Sequence, residues 1–72
     1  MNTIMERESL SNLISIWESN GKNGYLPKFL EDNGWNCIRY YETSSYAYSL
    51  MEKGGARFDV IESADGVDFR RK

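Results

Sequence analysis

Eleven carboxylates, one thiol and five phenols are the side chains here with chemistry to offer, and no histidine accompanies them. Without imidazole the commonest general base is missing, together with the Ser–His and Cys–His nucleophile pairs and the commonest metal ligand. Cys37 is therefore a thiol without its usual base, and one cysteine can neither build a thiolate zinc site within the chain nor close an internal disulfide. It reads most simply as a small buried hydrophobe. Glu31-Asp32 or Asp65 with Asp68 could in principle bind a divalent cation. Asp65-Gly66-Val67-Asp68, however, lacks the ligand number and spacing of a calcium loop. Paired carboxylates acting on a glycoside need a concave cleft, which 72 residues can hardly enclose. Gly21-Lys22-Asn23-Gly24 has two glycines in four residues, but it lacks the Lys-Ser/Thr and the preceding strand of a phosphate-cradling loop. The expectation is a non-enzyme, with no catalytic residue, metal, cofactor or small-molecule substrate.

What remains is recognition. Tyr40, Tyr41, Tyr46 and Tyr48 crowd into nine residues, and Tyr, Trp and Arg are the types enriched where proteins bind proteins. The candidate interface is Arg39, Tyr41, Tyr46, Tyr48, Arg57, Arg70 and Arg71. An equally weighted alternative is that the tyrosines belong to the edge of the core, with only their hydroxyls reaching water. The net charge of −2 opposes binding to phosphates. Without the closing Arg70-Arg71-Lys72 the balance is six basic against eleven acidic residues, so any nucleic-acid contact would fall to that basic terminus. Base stacking on an aromatic sheet ranks below protein binding, because only Arg39 and Arg57 would accompany the rings. An acidic body could also offer its carboxylates to a basic surface, including one that normally holds nucleic acid.

The elements that must position these residues follow from periodicity. Thr3-Ile4-Met5-Glu6 fits a capping box, Leu10, Leu13, Ile14 and Trp17 share one helical face, and Asn20-Gly21 supplies a stop. A helix is predicted from about Ile4 to Ser19. Tyr25 to Gly34 reads as a short second helix, with Pro27 at its first position and Leu26, Phe29 and Leu30 as its apolar face. Trp35 to Glu42 is rich in strand formers. Simple alternation sends Ile38 and Tyr40 one way, and Trp35, Cys37, Arg39 and Tyr41 the other. Tyr46 to Lys53 can be a strand or a helix. Strict alternation and the Gly54-Gly55 turn behind it favour the strand. Ala56–Glu62 and Val67–Arg71 are two further strands around Asp65-Gly66, with Val67, Phe69 and Arg71 on one face.

The expected fold is α+β in one domain over residues 1–72. A helical segment at 4–33 packs on a three- to four-stranded antiparallel meander at 35–71, and a frayed basic terminus closes the chain at 70–72. If residues 46–53 were helical, the order would become winged-helix-like and the function a DNA-binding regulator. The opening MNTIMERESL lacks the apolar run of a signal peptide. No stretch approaches the length of a membrane span, and the single cysteine suits a reducing compartment. A cytoplasmic protein without membrane contact is expected.

A tiny, acidic, histidine-free, aromatic-rich α+β chain resembles the small host-takeover proteins of bacteriophages. Within that group it is similar in size and character to the regulators that bind bacterial RNA polymerase. The general character of small CRISPR-inhibiting phage proteins is also shared. The likeness spans the whole chain without a specific motif, so no functional residue carries over. It implies a protein-binding inhibitor of a large host complex, with RNA polymerase as the target and transcription inhibition or antitermination as the outcome.

Overall fold

A computed structural model describes residues 3–22 and 24–72, the side chains of residues 3 and 4 excepted. The chain forms α1 (Thr3–Ser19), α2 (Leu26–Asp32), β1 (Asn36–Glu42), β2 (Tyr46–Lys53), β3 (Ala56–Ser63) and β4 (Gly66–Arg71). The strands make one antiparallel sheet in chain order, β1-β2-β3-β4, with both helices on one face. This is the expected α+β meander. Residues 46–53 are strand, so the winged-helix order with a recognition helix there is not formed.

The helix ends follow their sequence signals. Past α1, the Lys22 amide donates to the Trp17 carbonyl at 3.0 Å and the Gly21 amide to that of Glu18 at 3.1 Å, which is the Schellman pattern. The capping box expected at Thr3 rests on side chains outside the described residues. Tyr25 caps α2 with extended backbone, and Pro27 lies in its first turn, one position further in than expected. The Trp35 amide then returns to the Leu30 carbonyl at 3.0 Å and delivers Trp35 into the core.

The core is built where the two periodicities meet. Leu10, Ile14 and Trp17 from α1, with Leu26 and Leu30 from α2, close over Met51, Ala56, Phe58 and Val60 from β2 and β3. Trp35 is buried beside Phe58, edge to face, with centroids 6.0 Å apart. Phe69 meets the other side of Phe58 at 6.3 Å, and the Arg7 guanidinium lies over Phe69. Each fully buried side chain of this kind contributes about 1.5–3 kcal/mol.

Turns fix the register. Gly54 and Gly55 have φ of 58° and 84° and join Lys53 directly to its partner Ala56. Both central positions of such a turn need positive φ, which glycine supplies without steric cost. The remaining β2–β3 pairs follow residue by residue, from Glu52 with Arg57 to Tyr46 with Ser63. Thr43 Oγ1 accepts from the Ser45 and Tyr46 amides, both at 3.1 Å, and folds the β1–β2 turn.

Two expectations are corrected. A β-bulge between Cys37 and Arg39 shifts the register, so that Cys37 pairs with Met51 but Arg39 with Leu50. An extra residue reverses the alternation beyond it. Cys37 and Tyr40 therefore share the helix-covered side, while Arg39 and Tyr41 face away from it. The terminus at 70–72, expected as a tail, is paired with β3. Arg70 and Arg71 pair with Asp59 and Phe58 in β4, and the Lys72 amide donates to the Arg57 carbonyl at 2.8 Å.

Candidate functional site

The candidate interface divides by strand parity. Arg39, Tyr41, Tyr46, Tyr48, Arg57 and Arg70 all lie on the face of the sheet turned away from the helices. Arg71 does not. Its partner is Phe58, so it belongs to the helix-covered side, one residue and one face away from Arg70.

On the open face, cross-strand neighbours build a cluster around Leu50. The register sets Arg39 on one side of Leu50 and Asp59 on the other. Leu50 is only 8% exposed although no element covers it, so its own face shields it. Tyr41 and Tyr48 pair directly across β1 and β2 and stack, with centroids 4.8 Å apart and planes at 28°. Tyr46 meets Tyr41 edge-on at 6.4 Å. The Tyr48 hydroxyl donates to the Asp59 carboxylate, and Arg57 Nε donates to Glu52 Oε2 at 3.0 Å. Tyr41 and Tyr46 stay exposed.

The electrostatics of this face are balanced. Arg39, Arg57 and Arg70 stand against Glu52, Asp59 and Asp68. The acidic excess of the chain therefore lies elsewhere. The hydrogen bond to Asp59, then burial, pushes the Tyr48 phenol up to about 12. Tyr41 is raised as well, first by its hydrogen bond with Tyr46. Both hydroxyls are thus neutral donors at physiological pH. A balanced patch with aromatic stacks and forked donors suits a protein surface, where hot spots are Tyr, Trp and Arg. It lacks the excess of Lys and Arg that neutralising phosphates would require.

Other chemistry is sparse. Among the described residues no three Cys, Asp or Glu side chains come together as a metal site would need. Burial, then Glu31, raises the Cys37 thiol, which keeps it protonated and poorly nucleophilic. No helix among the described residues is long and apolar enough to cross a membrane.

Alternation sets Leu50 with Tyr46 and Tyr48, and Asp59 with Arg57, yet neither Leu50 nor Asp59 stands among the residues expected at the interface. The Gly54-Gly55 turn carried the signal, since a two-residue turn there dictates that Leu50 pairs with Asp59. A second assembly, at the β1–β2 end where Tyr40 turns toward Tyr25, is absent from the sequence expectations. That assembly depends on the bulge at Ile38, which leaves no simple mark in the sequence.

No family model matches the chain, and no curated protein or solved structure matches it either.

Proposed function

We propose that this chain is a non-enzymatic, protein-binding regulator whose contact surface is the open face of the sheet. The observation carrying the reading is the stacked Tyr41–Tyr48 pair with Tyr46 and the arginines 39, 57 and 70. No layer covers these residues, yet they are held in register by β1 to β4. A rigid sheet presenting aromatic and guanidinium groups loses little side-chain entropy on binding, which favours affinity from a small surface. The target we propose is bacterial RNA polymerase in the host cytoplasm. The support is the resemblance in size and character to small phage regulators, and the outcome is transcription inhibition or antitermination. The DNA-binding alternative would need a recognition helix at 46–53, where β2 stands.

Purified bacterial RNA polymerase and the intact chain test both levels. The expected result is a stable complex at physiological salt, altered run-off or read-through transcription, and loss of both with Tyr41→Ala. No complex with polymerase, together with a DNA mobility shift by the chain alone, would overturn the reading.

A further inference from the structure

At the β1–β2 end of the sheet, the helix-side face continues past the cover of the helices. The register places Glu42, Ala47 and Glu62 in one cross-strand row on that side. Ala47 is small, so the two carboxylates flank an open floor two strands wide, roughly 10 Å across. Tyr40 stands one row further in, turned to this side by the bulge. Tyr25, at the N-cap of α2, meets Tyr40 edge-on with centroids 6.5 Å apart and planes at 70°. With Tyr46 on the rim, these groups line a groove of about 490 Å³ that no basic side chain among the described residues lines. Neither Glu42 nor Glu62 has an ion-pair partner among the described residues. Burial, then its hydrogen bond to the Glu42 carboxylate, pushes the Tyr40 phenol up to about 12, and Glu62 adds to the effect. The ring therefore stays neutral in a region of negative potential. Tyr25 is 68% exposed among the described residues, a large apolar surface.

Aromatic faces beside carboxylates attract an organic cation, because the ring quadrupole and the formal charges act in the same direction. We infer that this groove receives the guanidinium or ammonium group of a basic side chain on a partner polypeptide. Glu42 and Glu62 balance its charge, and Tyr25 and Tyr40 pack against its alkyl stem. The charge complementarity selects this occupant: an acidic side chain would meet two carboxylates of like charge, and a neutral one would leave their charge unbalanced. The groove lies on the opposite side of the sheet from Tyr41 and Tyr48, so the inference stands independently of the role of the open face.

The test is an NMR titration of the intact chain with acetyl-Gly-Arg-Gly-amide and the corresponding lysine peptide. Acetyl-Gly-citrulline-Gly-amide serves as the uncharged isostere. The basic peptides are expected to shift Tyr25, Tyr40, Glu42 and Glu62 signals saturably, with Tyr41 and Tyr48 unmoved. The citrulline peptide should bind at least about fivefold more weakly. Raising the salt should weaken the arginine peptide and leave citrulline unchanged. Glu62→Gln should cost about fivefold in arginine affinity at an unchanged melting midpoint. If Glu62→Gln disturbs folding, Tyr25→Ala, which removes an exposed ring, should lower the affinity instead. Equal binding of arginine and citrulline, shifts confined to the open face, or full arginine affinity in both variants would each overturn the assignment.

Discussion

The two faces of this sheet use the same four strands and solve opposite problems. The helix-covered face is closed by another layer: Phe58, Val60, Met51 and Ala56 are buried under Leu10, Ile14, Trp17, Leu26 and Leu30. The open face has no layer above it and closes over one residue only. Leu50 is buried there beneath its own cross-strand neighbours, while Tyr41, Tyr46 and Ile61 remain exposed. A buried position is thus not sufficient to mark a core in a domain of this size. The same alternation that feeds the core on one side leaves aromatic rings ordered, stacked and accessible on the other.

Substitutions on the two faces should separate accordingly. Phe58→Ala removes the ring against which Trp35 and Phe69 both pack. It should cost about 3–5 kcal/mol, nearly the whole stability of a domain this small, and abolish cooperative unfolding by circular dichroism. Leu50→Ala takes a buried side chain from the open face and should cost about 2 kcal/mol. A midpoint lowered by some 8–16 °C with the transition still cooperative would bear this out. A loss equal to that of Phe58→Ala would show that the open face is a second core. Tyr48→Phe removes the hydroxyl that donates to Asp59 and should cost about 1 kcal/mol.

The same variant carries a pH signature. The Tyr48 and Tyr40 phenols are both raised to about 12 in the folded chain, above the ordinary value near 10. The folded state therefore holds these protons more tightly than the unfolded one. Their stabilisation is complete below pH 10 and is lost as the pH rises from 10 through 12. Tyr48→Phe should make the fall in melting midpoint across that window shallower. An unaltered slope would mean that the bond to Asp59 does not hold the proton. The smallest effect belongs to Arg57→Ala. It breaks an ion pair with Glu52 whose guanidinium side is half exposed, and should cost no more than about 0.5 kcal/mol, shrinking further at high salt.

Much of this arrangement was legible in the residues. Leu10, Leu13, Ile14 and Trp17 announced α1, and Asn20-Gly21 its end. The alternation of Tyr46, Tyr48 and Leu50, with two glycines behind it, announced β2 and its partner in register. The open face could be read to that extent, because a period of two and a two-residue turn fix both side and pairing. The bulge could not be read, since Asn36 to Tyr41 alternates as well without it as with it. Tyr40 was consequently placed with Ile38, away from Cys37, and the groove beside Tyr25 went unseen. Arg71 was grouped with Arg70 because both are basic, although adjacent residues of one strand must face opposite ways. The basic terminus read as a tail from composition alone; the backbone bonds of β4 and Lys72 to β3 are long-range and invisible to it.

The claim that the open face is a contact surface and not a second core rests most directly on Tyr41, which is exposed yet stacked on Tyr48. The decisive measurement is Tyr41→Ala scored side by side for melting midpoint and for affinity to purified bacterial RNA polymerase. The account predicts a midpoint within a few degrees of the parent and an affinity reduced at least about tenfold. A collapsed midpoint, or a polymerase affinity equal to the parent's at an unchanged midpoint, would contradict it.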